Sequence, residues 1–287
     1  MARLTVSKTY KLYIGGKFPR SESGHTFEVT TTKGVFLANA AAASRKDARD
    51  SVVAARSAFA GFSGLTAYNR GQILYRIAEV LEGRKDQFVA EIRDSEGATA
   101  KAAAAQVDQA IDTWVWYAGF ADKYAQIAGN GNPVSGPYFN LSTPDPTGVV
   151  VALAPQGLSG ESLLGLSATL APIMTSGNTA VVVSHYAQPL SAISFGEVLA
   201  TSDVPAGAVN ILTGDPAAIM PWMASHADVN ALDLAGGSSF DWVEWERAAA
   251  QTLKRVRAPY PGIAPTSLGR ITAFVETKTV WHTKALG

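Results

Sequence analysis

No cysteine occurs in the 287 residues. That excludes disulfides, thiolate metal sites and a cysteine nucleophile. An excess of charge of either sign is also lacking, since 24 Lys+Arg meet 24 Asp+Glu. A neutral chain has no electrostatic footprint for nucleic acid or acidic lipid, and little self-repulsion to oppose association. Histidine is scarce: His25, His185, His226 and His282 are scattered. None stands at metal-ligand spacing from another histidine or a carboxylate, so no metal is expected. No apolar run approaches the ~20 residues a membrane span needs. The N-terminal MARLTVSKTYKLYIGGKF lacks the apolar centre of a signal peptide. The expectation is a soluble, cytoplasmic protein, in which the sequon at Asn140 carries no meaning.

Hydrophobic residues, at 47%, are enough for a substantial core. KLYIGGKF alternates around Gly-Gly and predicts a hairpin. Ser44 with Asp47 predicts a capping box for a helix through Phe59. Residues 67–94 carry Ile73, Ile77, Val80, Leu81, Phe88 and Ile92 at helical spacing. A further helix places Val107, Ile111, Trp114 and Val115 on one face. The Gly-, Pro- and Asn-rich stretch 130–147 predicts either a linker or a projecting two-stranded hairpin.

From Gly148 onward, apolar strands alternate with helices. GVVVALAP, TAVVVS, AVNILTG and VNALDLAG read as strands. ESLLGLSATLAPIMTSG, PLSAISFGEVLATSD, PAAIMPWMASH and SFDWVEWERAAAQTLKRV read as helices, with a break expected at Pro221. Strands apolar throughout predict a parallel sheet covered on both faces. The expected fold class is α/β, a Rossmann-like doubly wound parallel sheet with N-terminal helices. After Val256 the pattern gives way to a loop and then a terminal alternating strand, expected over 270–282.

Most chemical motifs have plain readings. APQGLSGE and GNGNPV lack the spacing of a G-x-G-x-x-G turn. Gly157-Leu158-Ser159-Gly160-Glu161 approaches a nucleophile elbow, but its last position is Glu161 and no histidine is placed to serve. Ser159 reads better as a polar helix cap. Asp241, Glu244 and Glu246 open a helix, where acidic side chains favour the dipole. Trp114, Trp116, Trp242 and Trp245 read as core or interface anchors.

Several stretches together resemble one family. LYIGGKF, VVAARSAF, RGQILYRIAEVLE, WYAGFADKYA, ATLAPIMTSGNTAVVV, AQPLSA, DVPAGAVNILTGD, SHADVNAL and AAAQTLKRV occur in the order found in NAD(P)-dependent aldehyde dehydrogenases. The resemblance covers nearly the whole chain and implies a nucleotide-binding domain plus a small β oligomerisation arm.

The departures bear on function. Where the family has Pro-Trp-Asn-Phe-Pro, this chain has Pro155-Gln156-Gly157-Leu158-Ser159. Gly157 then stands at the position of the asparagine that holds the oxyanion, a donor worth about 3–4 kcal/mol to a transition state. Where the family has Lys-Pro-Ala-Glu for the adenosine ribose, Val183 replaces the lysine and a bulky Tyr186 the glutamate. The Gly-Ser-Thr-x-x-Gly turn that faces the pyrophosphate becomes Gly236-Gly237-Ser238-Ser239-Phe240-Asp241, with a negative charge near the phosphate. The resemblance therefore implies no cofactor, with NAD binding lost or weak.

The Glu-Leu-Gly-Gly motif and the cysteine-bearing catalytic domain do not follow LKRV. They are expected to be excised between about Arg257 and Pro259. The expected division is 1–258 for the nucleotide-binding-like domain, interrupted by the hairpin 129–146, with that hairpin and 259–287 forming the arm. Its expected interface residues are Tyr138, Phe139, Leu141, Ile271, Ala273, Phe274, Val275, Val280 and Trp281. A chain without its own catalytic domain would leave such arms unpaired in a homodimer, so the expected partner is a full-length aldehyde dehydrogenase subunit. The alternatives are a residual NAD(P)-binding module or a hydrolase using Ser159.

Overall fold

The computed structural model describes residues 8–157, 161–260, 262–263 and 265–284. Near the N-terminus, Ile14 bridges Lys17 around Gly15 and Gly16, both with positive φ. Glycine adopts that conformation without a Cβ clash. Two strands absent from the sequence reading follow, β1 (Thr26–Thr30) and β2 (Phe36–Ala41), paired antiparallel.

Helix α1 (Arg45–Ser63) opens with the expected capping box. The Asp47 backbone N–H donates to Ser44 Oγ at 3.2 Å, and the Ser44 N–H donates to Asp47 at 2.8 Å. The periodic stretch after it is not one helix but two, α2 (Ala67–Gly83) and α3 (Lys85–Glu96), broken at Arg84. Next come α4 (Ala100–Phe120) and the single turn α5 (Tyr124–Ala128). Stretch 130–147 is a hairpin rather than a linker, formed by β3 (Asn130–Asn132) and β4 (Tyr138–Pro146).

The alternating half gives β5 (Val149–Leu153), α6 (Ser162–Thr175), β6 (Thr179–Val183), α7 (Leu190–Ala200), β7 (Val209–Leu212), α8 (Pro216–Ser225) and β8 (Ala231–Asp233). Every residue of these four strands is buried, as both-face coverage requires. Pro221 does not break α8. Its ring costs one bond to the carbonyl four residues back, and Ala217 and Pro221 both lie on the exposed side of the helix.

Helix α9 (Trp242–Ala250) is shorter than expected. Arg255–Arg257 is not helix but β9, a fifth strand parallel to β8. Between them Leu253 takes a positive φ and is 92% exposed. The order is β7-β6-β5-β8-β9, all parallel. The β7 edge is closed by Tyr13, whose N–H donates to the Ile211 carbonyl at 3.0 Å while its own carbonyl accepts from Ile211 N–H at 2.7 Å.

The chain returns from β9 through residues 258–267 to the short helix α10 (Leu268–Thr272), then to β10 (Val275–Thr283). This corrects the expected strand at 270–282. Ile271 and Phe274 are 0% and 2% exposed and belong to the main hydrophobic core, with Ala273 packed against it. They are core residues, not interface residues. Strand β10 lies antiparallel on β4 over its whole length, completing a three-stranded sheet in the order β10-β4-β3.

One buried ion pair anchors this return. Asp233, the last residue of β8, has no exposed side-chain surface, and Arg270 of α10 donates to it at 3.0 Å. Burial pushes the Asp233 carboxyl up, and the attraction of Arg270 pulls it back. Asp233→Ala would leave a buried guanidinium unmatched and cost about 3–5 kcal/mol in chemical denaturation. Replacing both partners by Leu and Met would recover most of that loss. A single-variant loss below about 1 kcal/mol would contradict the role given to this pair.

Candidate functional site

In an open parallel sheet the ligand crevice lies beyond the carboxyl ends of the strands, where the strand order reverses. Here that point falls between β5 and β8. A cavity of about 160 Å³ opens there, lined by Pro155, Gln156, Gly157 and Glu161 on one side and Ala235, Gly236, Ser238, Ser239, Tyr260 and Gly262 on the other. Pockets for cofactor-sized ligands run about 300–1,000 Å³, so this one is small. No side-chain cation lines it, and Glu161 adds a carboxylate.

Beside the crevice, the chain's own polar side chains tie neighbouring turns together. Gln156 donates from Nε2 to the Ala154 carbonyl at 2.8 Å and to the Ser184 carbonyl at 3.2 Å. Its Oε1 accepts from the Tyr186 N–H at 2.9 Å. One amide thus ties the turn after β5 to the turn after β6. His185 is a second tie. Its Nδ1 accepts from the Gln188 N–H at 3.2 Å, which leaves the proton on Nε2 to donate to the Gly157 carbonyl at 2.8 Å.

The start of α6 is also satisfied from within. Gln106 Oε1 accepts from the Leu163 N–H at 3.0 Å. The same amide donates to buried Glu96 at 3.1 Å, which also accepts from Ser162. Ser162 and Ser191 hydroxyls lie 2.7 Å apart. Donors at a helix start attract anions when unmatched; here the Leu163 and Leu164 N–H groups are taken by Gln106.

Each residue singled out in the sequence has a definite place. Gly157 is exposed after β5. Val183 closes β6 and is fully buried. Tyr186 does not intrude into the cavity. It is 44% exposed and stacks on Phe27 of β1 with centroids 5.4 Å apart. A Cβ on Gly236 would fall on the Ala154 carbonyl oxygen, so the turn after β8 tolerates no side chain there. Gly237 opens a 3₁₀ turn, Gly237–Ser239. Asp241 is exposed before α9, and its side chain makes no capping bond. Ser159 lies outside the described residues. Among the described residues no cluster of metal-ligating side chains occurs, and no helix is long and apolar enough to cross a membrane.

The sheet β10-β4-β3 forms a second candidate site. Phe139 and Leu141 project on one face and are 51% and 37% exposed. Val280 lies opposite Leu141. Tyr138 and Trp281, 39% and 58% exposed, meet edge-on at 5.8 Å on the other face. Val275 sits at the base opposite Pro146. There Arg255 of β9 grips Glu276 at 2.5 and 2.8 Å and holds the strand to the body.

Sequence reasoning missed Gln156, Asp233, Arg257, Tyr260 and Arg270. The readable signal was Asp233, a carboxylate inside the apolar run VNALDLAG, which demands a partner when buried.

Burial lowers the His185 imidazole below its ordinary 6.5, against the Gly157 carbonyl bond and the fields of Glu96 and Glu161. Its neutral form therefore stabilises the fold fully above pH 6.5. As pH falls below that value the unfolded chain takes up the proton first, and stability drops by up to about 1.4 kcal/mol per pH unit. His185→Gln should flatten this acid limb in denaturation midpoints measured from pH 7.5 to 5. An unchanged slope would contradict the assignment.

The model of the aldehyde dehydrogenase family matches residues 18–268. Mouse cytosolic 10-formyltetrahydrofolate dehydrogenase is 28% identical over 271 residues, which is 92% of this chain but 29% of that protein. An aldehyde dehydrogenase from Bacillus cereus, solved as its NAD+ complex, shares 25% identity at a TM-score of 0.80, over 87% of this chain and 50% of its own. Betaine aldehyde dehydrogenase from Staphylococcus aureus shares the fold, at a TM-score of 0.80 and 23% identity, over 86% and 49%. The chain thus spans 29% of the mouse protein's length and about half that of each solved structure. With the family model matched over most of its length and the doubly wound sheet in place, the chain belongs to the aldehyde dehydrogenase family.

Proposed function

We propose that this chain is a non-catalytic aldehyde-dehydrogenase-like subunit that assembles with a full-length aldehyde dehydrogenase through the β4–β10 arm. The observation that carries this reading is the contrast between the two candidate sites. At the strand ends, Gln156, His185 and Gln106 bond backbone groups of the neighbouring turns, while Ser184 Oγ and Gln188 Oε1 are left without a partner. Val183 and Tyr186 stand where the family resemblance implies a lysine and a glutamate. The arm keeps nine-residue strands in full register.

Among the described residues strand β10 is hydrogen-bonded on one side only, and a long free edge pairs readily with another chain's strand. Trp281 stands exposed on this strand, and Tyr138, Phe139 and Leu141 stand exposed on the neighbouring β4, as aromatic anchors do in interfaces. The connection 258–267 leaves no room between β9 and α10 for the family's catalytic domain. A partner that supplies such a domain supplies the surface the arm lacks. The dehydrogenase chemistry would then reside in the partner.

The alternative, a residual NAD(P)-binding module acting in aldehyde oxidation or as a sensor, must fit its ligand into a cavity of about 160 Å³. Its wall carries Glu161 and no cation.

Co-expression with a full-length aldehyde dehydrogenase from the same cells, followed by size-exclusion chromatography, tests the assembly. The expected result is co-elution, with Trp281→Asp weakening the complex by about thirtyfold or more, as for an anchor worth about 2 kcal/mol. The variant's own melting curve should stay unchanged. A soluble monomer indifferent to every such enzyme would overturn the proposal.

A further inference from the structure

Beside the crevice, around Tyr260, the described residues hold two guanidinium groups and one carboxylate. Arg257 ends β9 and pairs in register with Asp233. Its guanidinium lies 4.2 Å from the Tyr260 ring centroid, and that of Arg270 lies 5.1 Å from the same ring. Asp233 is fully engaged: Oδ2 accepts from Arg270 Nη2, and Oδ1 accepts from the Ala235 N–H at 3.2 Å. Three donors around this ring are left buried without a partner, namely Arg257 Nη1, Arg270 Nε and the Tyr260 hydroxyl. Arg270 is 3% exposed.

Buried polar groups nearly always find partners, and a buried charge without a counter-charge is costly. Water would satisfy the three donors; the positive charge left over once Asp233 offsets Arg270 is that of Arg257, which is half-buried. A single negative charge with acceptor oxygens satisfies both. Tyr117, whose hydroxyl burial pushes up to about 12, stays neutral beside the cluster and cannot supply it.

We propose that Arg257, Arg270 and Tyr260 form a binding site for one small carboxylate monoanion. Its entrance is the cavity at the strand switch point, whose wall Tyr260 forms. The planar two-oxygen group suits guanidinium donors. Its single charge equals the excess of the two guanidinium groups over Asp233, and it is small enough to pass a cavity of about 160 Å³ that Glu161 also lines. The residues belong to β9, the segment leading into α10 and α10 itself, so this site is distinct from the Val183–Tyr186 turn. It does not depend on the proposed assembly.

The test uses the full chain and acetate as the probe, titrated at constant ionic strength with chloride as the balancing anion. Binding is read from the Arg270 Nε–Hε resonance and from the melting temperature. Acetate should shift both saturably, while the neutral isostere acetamide should shift neither. Arg257→Gln should weaken acetate binding by about tenfold or more, since a charge-assisted bond is lost. Tyr260→Phe removes only the hydroxyl and should also weaken it, which keeps the test open if Arg257→Gln folds poorly. No saturable acetate response overturns the site. So does an equal response to acetamide, a response retained in both variants, or binding of inorganic phosphate with none of acetate.

Discussion

A carboxylate at the end of β8 with no exposure forces a choice on the chain. Either a cation comes to Asp233, or the carboxyl is neutralised. Arg270 comes to it, and the geometry of the C-terminal third follows. Reaching Asp233 brings α10 onto the body and drives Ile271 and Phe274 into the core. The Phe274 carbonyl then accepts from the Thr147 N–H and from Asn178, at 3.1 and 2.8 Å. Those bonds set where β10 begins, and its register on β4 follows from that start. The arm's orientation is therefore inherited from an ion pair at the end of β8.

The two ends of this arrangement differ in how their polar groups are met. At the crevice, Gln156 and His185 convert two ligand-facing turns into a cross-tied surface. A dinucleotide arriving there would have to break internal bonds and meet Glu161 instead of a cation. On the outer side of β10, backbone groups have no partner strand among the described residues, and Trp281 on β10 with Tyr138, Phe139 and Leu141 on β4 stand exposed on the sheet. This contrast is why the proposed function rests on the arm.

Much of this was legible in the sequence, for physical reasons. Val149–Leu153 and Thr179–Val183 are apolar on both faces, and only a covered parallel sheet uses such strands. Ser44 and Asp47 carry a local code, and the cap formed as spaced. The failures share a cause, because each depended on contacts distant in sequence. Ile271 and Phe274 alternate like strand residues, but Arg270's attachment to Asp233 makes them core. Arg255–Arg257 continues a helical pattern, yet β8 offers an edge and the turn at Leu253 delivers the segment to it. Tyr186 looked like an obstruction until Phe27, on a strand not foreseen, took its ring. The lacing by Gln156 was invisible, since a glutamine after a strand carries no local signal of what it spans.

The crevice's loss of the dinucleotide is the central claim, and isothermal calorimetry with NAD+ and NADP+ on the full chain tests it most directly. The account predicts no saturable heat up to millimolar nucleotide. Stoichiometric binding in the micromolar range would contradict it, because the ties through Gln156 and His185 would then have to open for a ligand at little cost.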